Sequence, residues 1–79
     1  MEEIREVIQE MLQELHEEVD FDKEKKLVDD KILDSFDLVT LVAELGEEFD
    51  VEITAKDFIE ENFNSLDALT KMIARLLDE

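Results

Sequence analysis

Residues 32–53 read Ile32-Leu33-Asp34-Ser35-Phe36-Asp37-Leu38-Val39-Thr40-Leu41-Val42-Ala43-Glu44-Leu45-Gly46-Glu47-Glu48-Phe49-Asp50-Val51-Glu52-Ile53. The period in this stretch predicts one amphipathic helix beginning at Ser35. Leu38, Leu41, Val42, Leu45 and Phe49 recur at helical steps as an apolar stripe, and Asp37, Glu44, Glu47 and Glu48 take the opposite side. Asp34 stands at the N-cap, where its carboxylate can accept from exposed backbone N–H groups, and Asp37 occupies the third helical position, where an acid suits the helix dipole. Ser35, Val39 and Ala43, each four residues apart, run along one flank with the serine at the head of the row. Gly46 inside the helix costs about 1 kcal/mol relative to alanine, which the stripe must outweigh.

Outward from this helix, the flanking segments predict three more. Ile4, Val7, Ile8, Met11, Leu12 and Leu15 keep a helical period from Met1 to about His16. Between Glu17 and Leu33 the apolar residues Val19, Phe21, Leu27, Val28, Ile32 and Leu33 fall at irregular intervals, as in a long loop pinned to a core. Asp20, Asp22 and Glu24 resemble the opening of a calcium-binding loop, but Lys25 stands where that loop needs glycine and Lys31 where it needs a bidentate glutamate, which excludes it. The plain role of Lys23, Lys25, Lys26 and Lys31 is to neutralise nearby acids in part. Thr54 is positioned to cap a short helix to about Glu61, with Asp57 completing a capping box and Phe58 and Ile59 pointing inward. Asn64 or Ser65 caps a last helix with Leu66, Leu69, Met72, Ile73, Leu76 and Leu77 on its apolar face, and with Lys71 and Arg75 towards its negative end. The expectation is an all-α, four-helix bundle of three longer helices and one short one, with a long first loop, in a single domain over residues 1–79.

Charge and residue types narrow the function. With 25 acids against 8 bases the formal charge is −17, which opposes nucleic acid or an anionic membrane as partner and favours basic proteins. The 44% hydrophobic content at helical spacing argues for a folded chain despite that charge. Cysteine is absent, no apolar run is long enough to cross a membrane, and acids come early at the N-terminus, so a cytoplasmic location is expected. A nucleophilic serine needs a base and a group to orient it, but the one histidine, His16, lies on another element, where its plain role is to face the helix dipole. A single glycine excludes a glycine-rich phosphate loop, and the carboxylates are too numerous for any pair to stand out as acid and base. Independent catalysis is not expected, and one histidine without cysteine offers no soft-metal site.

The register of residues 32–53 resembles the central helix of acyl carrier proteins, with their Asp-Ser-Leu modification motif. The resemblance rests on Asp34-Ser35 at a helix start, the acid two residues after the serine, the aliphatic pattern behind it, and the acidic-aromatic end followed by Ile53, and it spans nearly the whole chain. It implies a monomeric carrier. A phosphopantetheinyl transferase would move 4'-phosphopantetheine from coenzyme A to the Ser35 hydroxyl, with Asp34 as motif residue, and the terminal thiol would hold acyl groups as thioesters in fatty-acid or related acyl-chain biosynthesis. Asp37, Val39, Ala43, Glu44, Glu47, Glu48 and Ile53 would face acyl-transfer and acyl-chain-processing enzymes through basic docking patches; no Lys or Arg interrupts residues 34–53. Lys31 stands where many carriers have glycine, Phe36 where leucine is usual, and Thr54 where a proline commonly opens the third helix. Ile32-Leu33-Asp34-Ser35 also resembles aminoacyl carriers of the D-alanyl or peptidyl type, although this helix is more acidic. An unmodified acidic interaction module is the remaining alternative.

Overall fold

The computed structural model describes residues 2–78, and its order of elements is α1 (Glu2–Leu15), α2 (Ser35–Phe49), α3 (Glu60–Phe63) and α4 (Leu66–Asp78). Among the described residues there is no strand, so the fold is the expected all-helical bundle with three longer helices and one short one. α1 packs against both α4 and α2, and α3 packs against α4. Ile8 and Leu12 of α1, Leu41 and Leu45 of α2, Phe63 of α3, and Leu66, Leu69, Met72 and Ile73 of α4 close the core. Leu38, Val42 and Phe49 flank it half-buried, so the apolar stripe of α2 faces inward along its length.

The long loop after α1 belongs to this core. Phe21, Leu27 and Leu33 are at most 2% exposed, and their burial offsets the entropy of fixing the segment. Asn64 latches it from the far side: its carbonyl accepts from Leu27 N–H at 2.8 Å, and its Oδ1 accepts from Val28 and Asp29 N–H at 2.9 and 3.1 Å. Asn64 is therefore the loop's partner, and Ser65 caps α4, its Oγ accepting from Ala68 N–H at 3.0 Å. Arg5 adds a surface tie, reaching Asp22 of the loop at 2.7 Å and Asp67 of α4 at 3.1 Å. The resulting radius of gyration, 11.3 Å, is what a folded chain of this length should have, about 11.6 Å.

The segment after α2 departs from expectation. Thr54 does not cap a helix; residues 55–57 form a turn, and α3 starts only at Glu60, with Ile59 at its N-cap and no side-chain hydrogen bond there. Tertiary contacts override the capping signal. Asp57, 7% exposed, accepts from Arg75 Nη2 of α4 at 2.8 Å, and its carbonyl accepts from Asn62 Nδ2 at 2.7 Å, the oxygen a continuing helix would have used. Phe58 and Ile59, expected to point inward, are 46% and 48% exposed, although the Phe58 ring packs edge-to-face on Phe63 at 5.3 Å. Leu77, placed on the inner face of the last helix, is 46% exposed because the final turn of α4 carries it past the core.

Two backbone positions explain unusual residues. A Cβ on Gly46 would lie 3.2 Å from the Val51 carbonyl oxygen, so the tight closure of α2, where Gly46 O accepts from Asp50 and Val51 N–H, suits a residue without one. Lys31 has φ 58°, the left-handed region that costs a residue with a Cβ about 1–2 kcal/mol. This is the position where the resemblance has glycine. Lys31→Gly removes that cost, gives back about 0.4–1 kcal/mol of unfolded-chain entropy, and loses one exposed charge of little consequence. The expected result is a net gain of roughly 0.5–1 kcal/mol, a rise of about 4 °C in the melting temperature followed by circular dichroism. A melting temperature that stays level or falls would show that the left-handed turn is unstrained.

Candidate functional site

The start of α2 is built as a reciprocal box. Asp34, with φ −89° and ψ 179°, is the N-cap; its Oδ1 accepts from Asp37 N–H at 2.8 Å, and Asp37 Oδ2 accepts from Asp34 N–H at 3.4 Å. Two of the unpaired donors of the helix start are thereby satisfied from within the sequence Asp34-Ser35-Phe36-Asp37. Ser35 lies between the two halves of the box as the first helical residue, and its side chain is exposed. Its hydroxyl makes no hydrogen bond among the described residues. The Ser35 and Phe36 N–H groups donate no hydrogen bond among the described residues and stand at the positive end of a 15-residue helix.

His16, just past the end of α1, joins this turn. Its Nε2 is 2.7 Å from Asp37 Oδ2 and its Nδ1 3.7 Å from Glu18 Oε1. The hydrogen bond to Asp37, and then the charges of Asp37, Glu18 and Asp34, raise the imidazole above its ordinary value of 6.5, against a lowering by burial. For Asp37, burial pushes the carboxyl up, but the hydrogen bonds from His16 and from the Asp34 N–H outweigh it and leave it below the usual range. Asp37, expected on the open acidic side, is thus half-buried with its carboxylate engaged on both sides, because α1 ends directly against it.

The remaining expected site residues divide in the same way. Val39 is 64% exposed, Ala43 is exposed, and Phe36, one turn before Val39 on the same flank, is 80% exposed. A large aromatic ring at a helical position off the apolar stripe was a legible sign of such a patch. Ile53 packs half-buried against the core. Glu44, Glu47 and Glu48 are exposed, and they line an open groove of about 370 Å³ opposite Glu10 and Glu14 of α1, with Val7 and Met11 also lining it. Among the described residues no group of three or more His, Cys, Asp or Glu is arranged to hold a metal ion. Facing rows of glutamate repel each other, so sodium chloride is expected to raise the melting temperature steadily until screening is complete. A flat salt titration would mean that this repulsion is already relieved in the fold.

The exposed hydroxyl and the open N–H groups beside it make a site that can accept a covalently attached anion. The model of the family described as phosphopantetheine attachment site matches residues 2–73, and the chain belongs to that family. It is a carrier domain, and the group its family carries is covalently bound 4'-phosphopantetheine. Comparisons with curated proteins and with solved structures give no match. Among the described residues no helix is long and apolar enough to cross a membrane.

Proposed function

We propose that the chain is an acyl carrier protein modified at Ser35. The observation that carries this reading is an exposed serine, held at the first position of α2 inside the Asp34–Asp37 box, in a chain of the phosphopantetheine attachment family. The fit to the group is chemical: a free hydroxyl to esterify, and two unpaired N–H groups at a helix start that favour the negative charge of a phosphodiester. In the transfer, the Ser35 oxygen bonds to the phosphorus of the pantetheine arm, the adenosine bisphosphate portion of coenzyme A leaves, and the hydroxyl proton passes to a base on the transferase. Once attached, the arm supplies the thiol that this cysteine-free chain lacks, on which acyl groups are held as thioesters.

Phosphopantetheinyl transferase and the acyl-chain-processing enzymes are the proposed partners, setting basic patches of their own against the acidic α2. Glu44, Glu47 and Glu48 provide the charge, and Phe36, Val39 and Ala43 the apolar contact; Asp37 and Ile53 serve the fold more than the partner. The proposed cargo belongs to fatty-acid or related acyl-chain assembly, carried by a monomer with one carrier domain in the cytoplasm. Incubation with coenzyme A, magnesium and a broad-specificity transferase tests the reading by intact mass, with one phosphopantetheine expected per chain. No addition under conditions that load a control carrier overturns it. Mass analysis of the thioester on protein from its native cells distinguishes an acyl from an aminoacyl cargo.

A further inference from the structure

His16 has a role at the attachment turn that a residue facing its own helix dipole does not need. Its backbone N–H donates to Leu12 O at 2.9 Å and its carbonyl accepts from Gln13 Nε2 at 3.3 Å, which fixes it to the end of α1. From there the ring, with 27% of its side chain exposed, reaches α2 and contacts Asp37 Oδ2, the oxygen that also accepts the Asp34 N–H and so closes the box around Ser35. We propose that His16 is a positioning residue for modification of Ser35: from α1 it clamps Asp37 in the capping box and offsets the carboxylates beside the hydroxyl, so that the turn is presented to the transferase in one frame. This rests on Ser35 being the attachment residue.

Among the described residues the titratable groups acting on the ring are all anionic: Asp37 of α2, Asp34 at its N-cap and Glu18 of the loop, in addition to the carbonyl end of α1. Together they hold the imidazolium. Because the folded value of His16 is raised, its contribution is complete below about 6.5 and is lost as pH climbs through the raised value. Because that of Asp37 is lowered, its contribution is complete above about 3.8 and is lost only as pH falls through the lowered value. The clamp is therefore strongest from weakly acidic pH up to the ordinary histidine value, and loosens above it. A neutral ring can still donate from Nε2, but it then turns an unprotonated Nδ1 towards Glu18 and no longer balances the acids. A phosphodiester on Ser35 adds a further negative charge nearby, so attachment itself should raise the His16 value again.

The test compares the full-length wild type, His16→Gln and His16→Arg as substrates of one transferase with coenzyme A and magnesium. Initial rates at limiting carrier, taken from about pH 6 to about pH 9, are expressed as ratios so that the transferase's own profile cancels. His16→Gln is expected to lower kcat/KM roughly three- to tenfold at the acidic end, the size of one partly exposed charge-assisted hydrogen bond, with the gap closing as pH rises. His16→Arg, which keeps a cation, should restore the acidic rate and remove the pH dependence of the ratio, and circular dichroism checks that each variant is folded. The ring of the sole histidine can also be titrated by NMR; its value should fall in Asp37→Asn and rise when the arm is attached. Equal rates for wild type and His16→Gln, a gap independent of pH, or a histidine titration untouched by Asp37→Asn each overturn the clamp while leaving Ser35 as the attachment residue. A wild type that is never modified removes both.

Discussion

Ser35→Ala is expected to abolish attachment completely, with no mass increase after exhaustive incubation with coenzyme A and transferase. The loss should be chemical and not structural. Ser35 is exposed, its hydroxyl is not part of the capping box, and alanine is at least as good a helix former at an exposed position, so stability should change by less than about 0.5 kcal/mol. The chain's other serine offers no substitute acceptor, because Ser65 is half-buried with its Oγ already accepting from Ala68 N–H at the start of α4. Full modification of the alanine variant would move the attachment site elsewhere and with it the meaning of the Asp34–Asp37 box.

The double reversal Glu44→Lys with Glu48→Lys is expected to slow modification of Ser35 by a basic transferase by roughly 10- to 100-fold at low salt, because complementary charge acts mainly on the rate of encounter. Each reversal adds two units, so the formal charge moves from −17 to −13. Both residues are exposed, one turn apart on α2, and neither belongs to the inner stripe, whose Leu41 and Leu45 are fully buried. The fold should gain if anything, since the new lysines would face Glu10 and Glu14 across the groove between α1 and α2 in place of like charges. The expected pattern is thus an undiminished melting temperature with a slower reaction. At about 0.15 M ionic strength, where the screening length is about 8 Å, the wild type should lose most of its advantage while the variant changes little. Equal rates for the two folded proteins at low salt would mean that the glutamate rows are only a solvated surface.

The folded core was legible where the apolar residues repeat, and hidden where they do not. In α2 the steps Leu38, Leu41, Val42, Leu45 and Phe49 follow the 3.6-residue period, and Asp34 at the N-cap is chemistry between residues three apart, so helix, inner face and first-turn box can be read along the chain. The Ser65 cap of α4 is of the same kind. Failures of local reasoning cluster around residues 54–61, where Thr54 and Asp57 have the spacing of a capping box and yet form a turn. The competing partners, Arg75 for the Asp57 carboxylate and Asn62 for its carbonyl, are presented from α4 and from within α3, and a capping preference of about 1 kcal/mol does not outweigh a buried carboxylate that already has a guanidinium.

The same division holds at the site. Sequence alone determined that the chain is helical, strongly acidic and without thiols, and that Ser35 begins the central helix in the register of a carrier; each of these depends on composition or on neighbours within a few residues. Only the tertiary structure decided that Asp37 turns inward while Glu44, Glu47 and Glu48 stay open, that Asn64 ties down the first loop from 35 and 36 residues away, and that His16, 21 residues before Asp37, closes on it at 2.7 Å. Such pairings depend on where the ends of α1, α2 and α4 come to rest around the shared core of Ile8, Leu12, Leu45 and Ile73, because the burial of those side chains sets the positions to which the polar groups must then adapt.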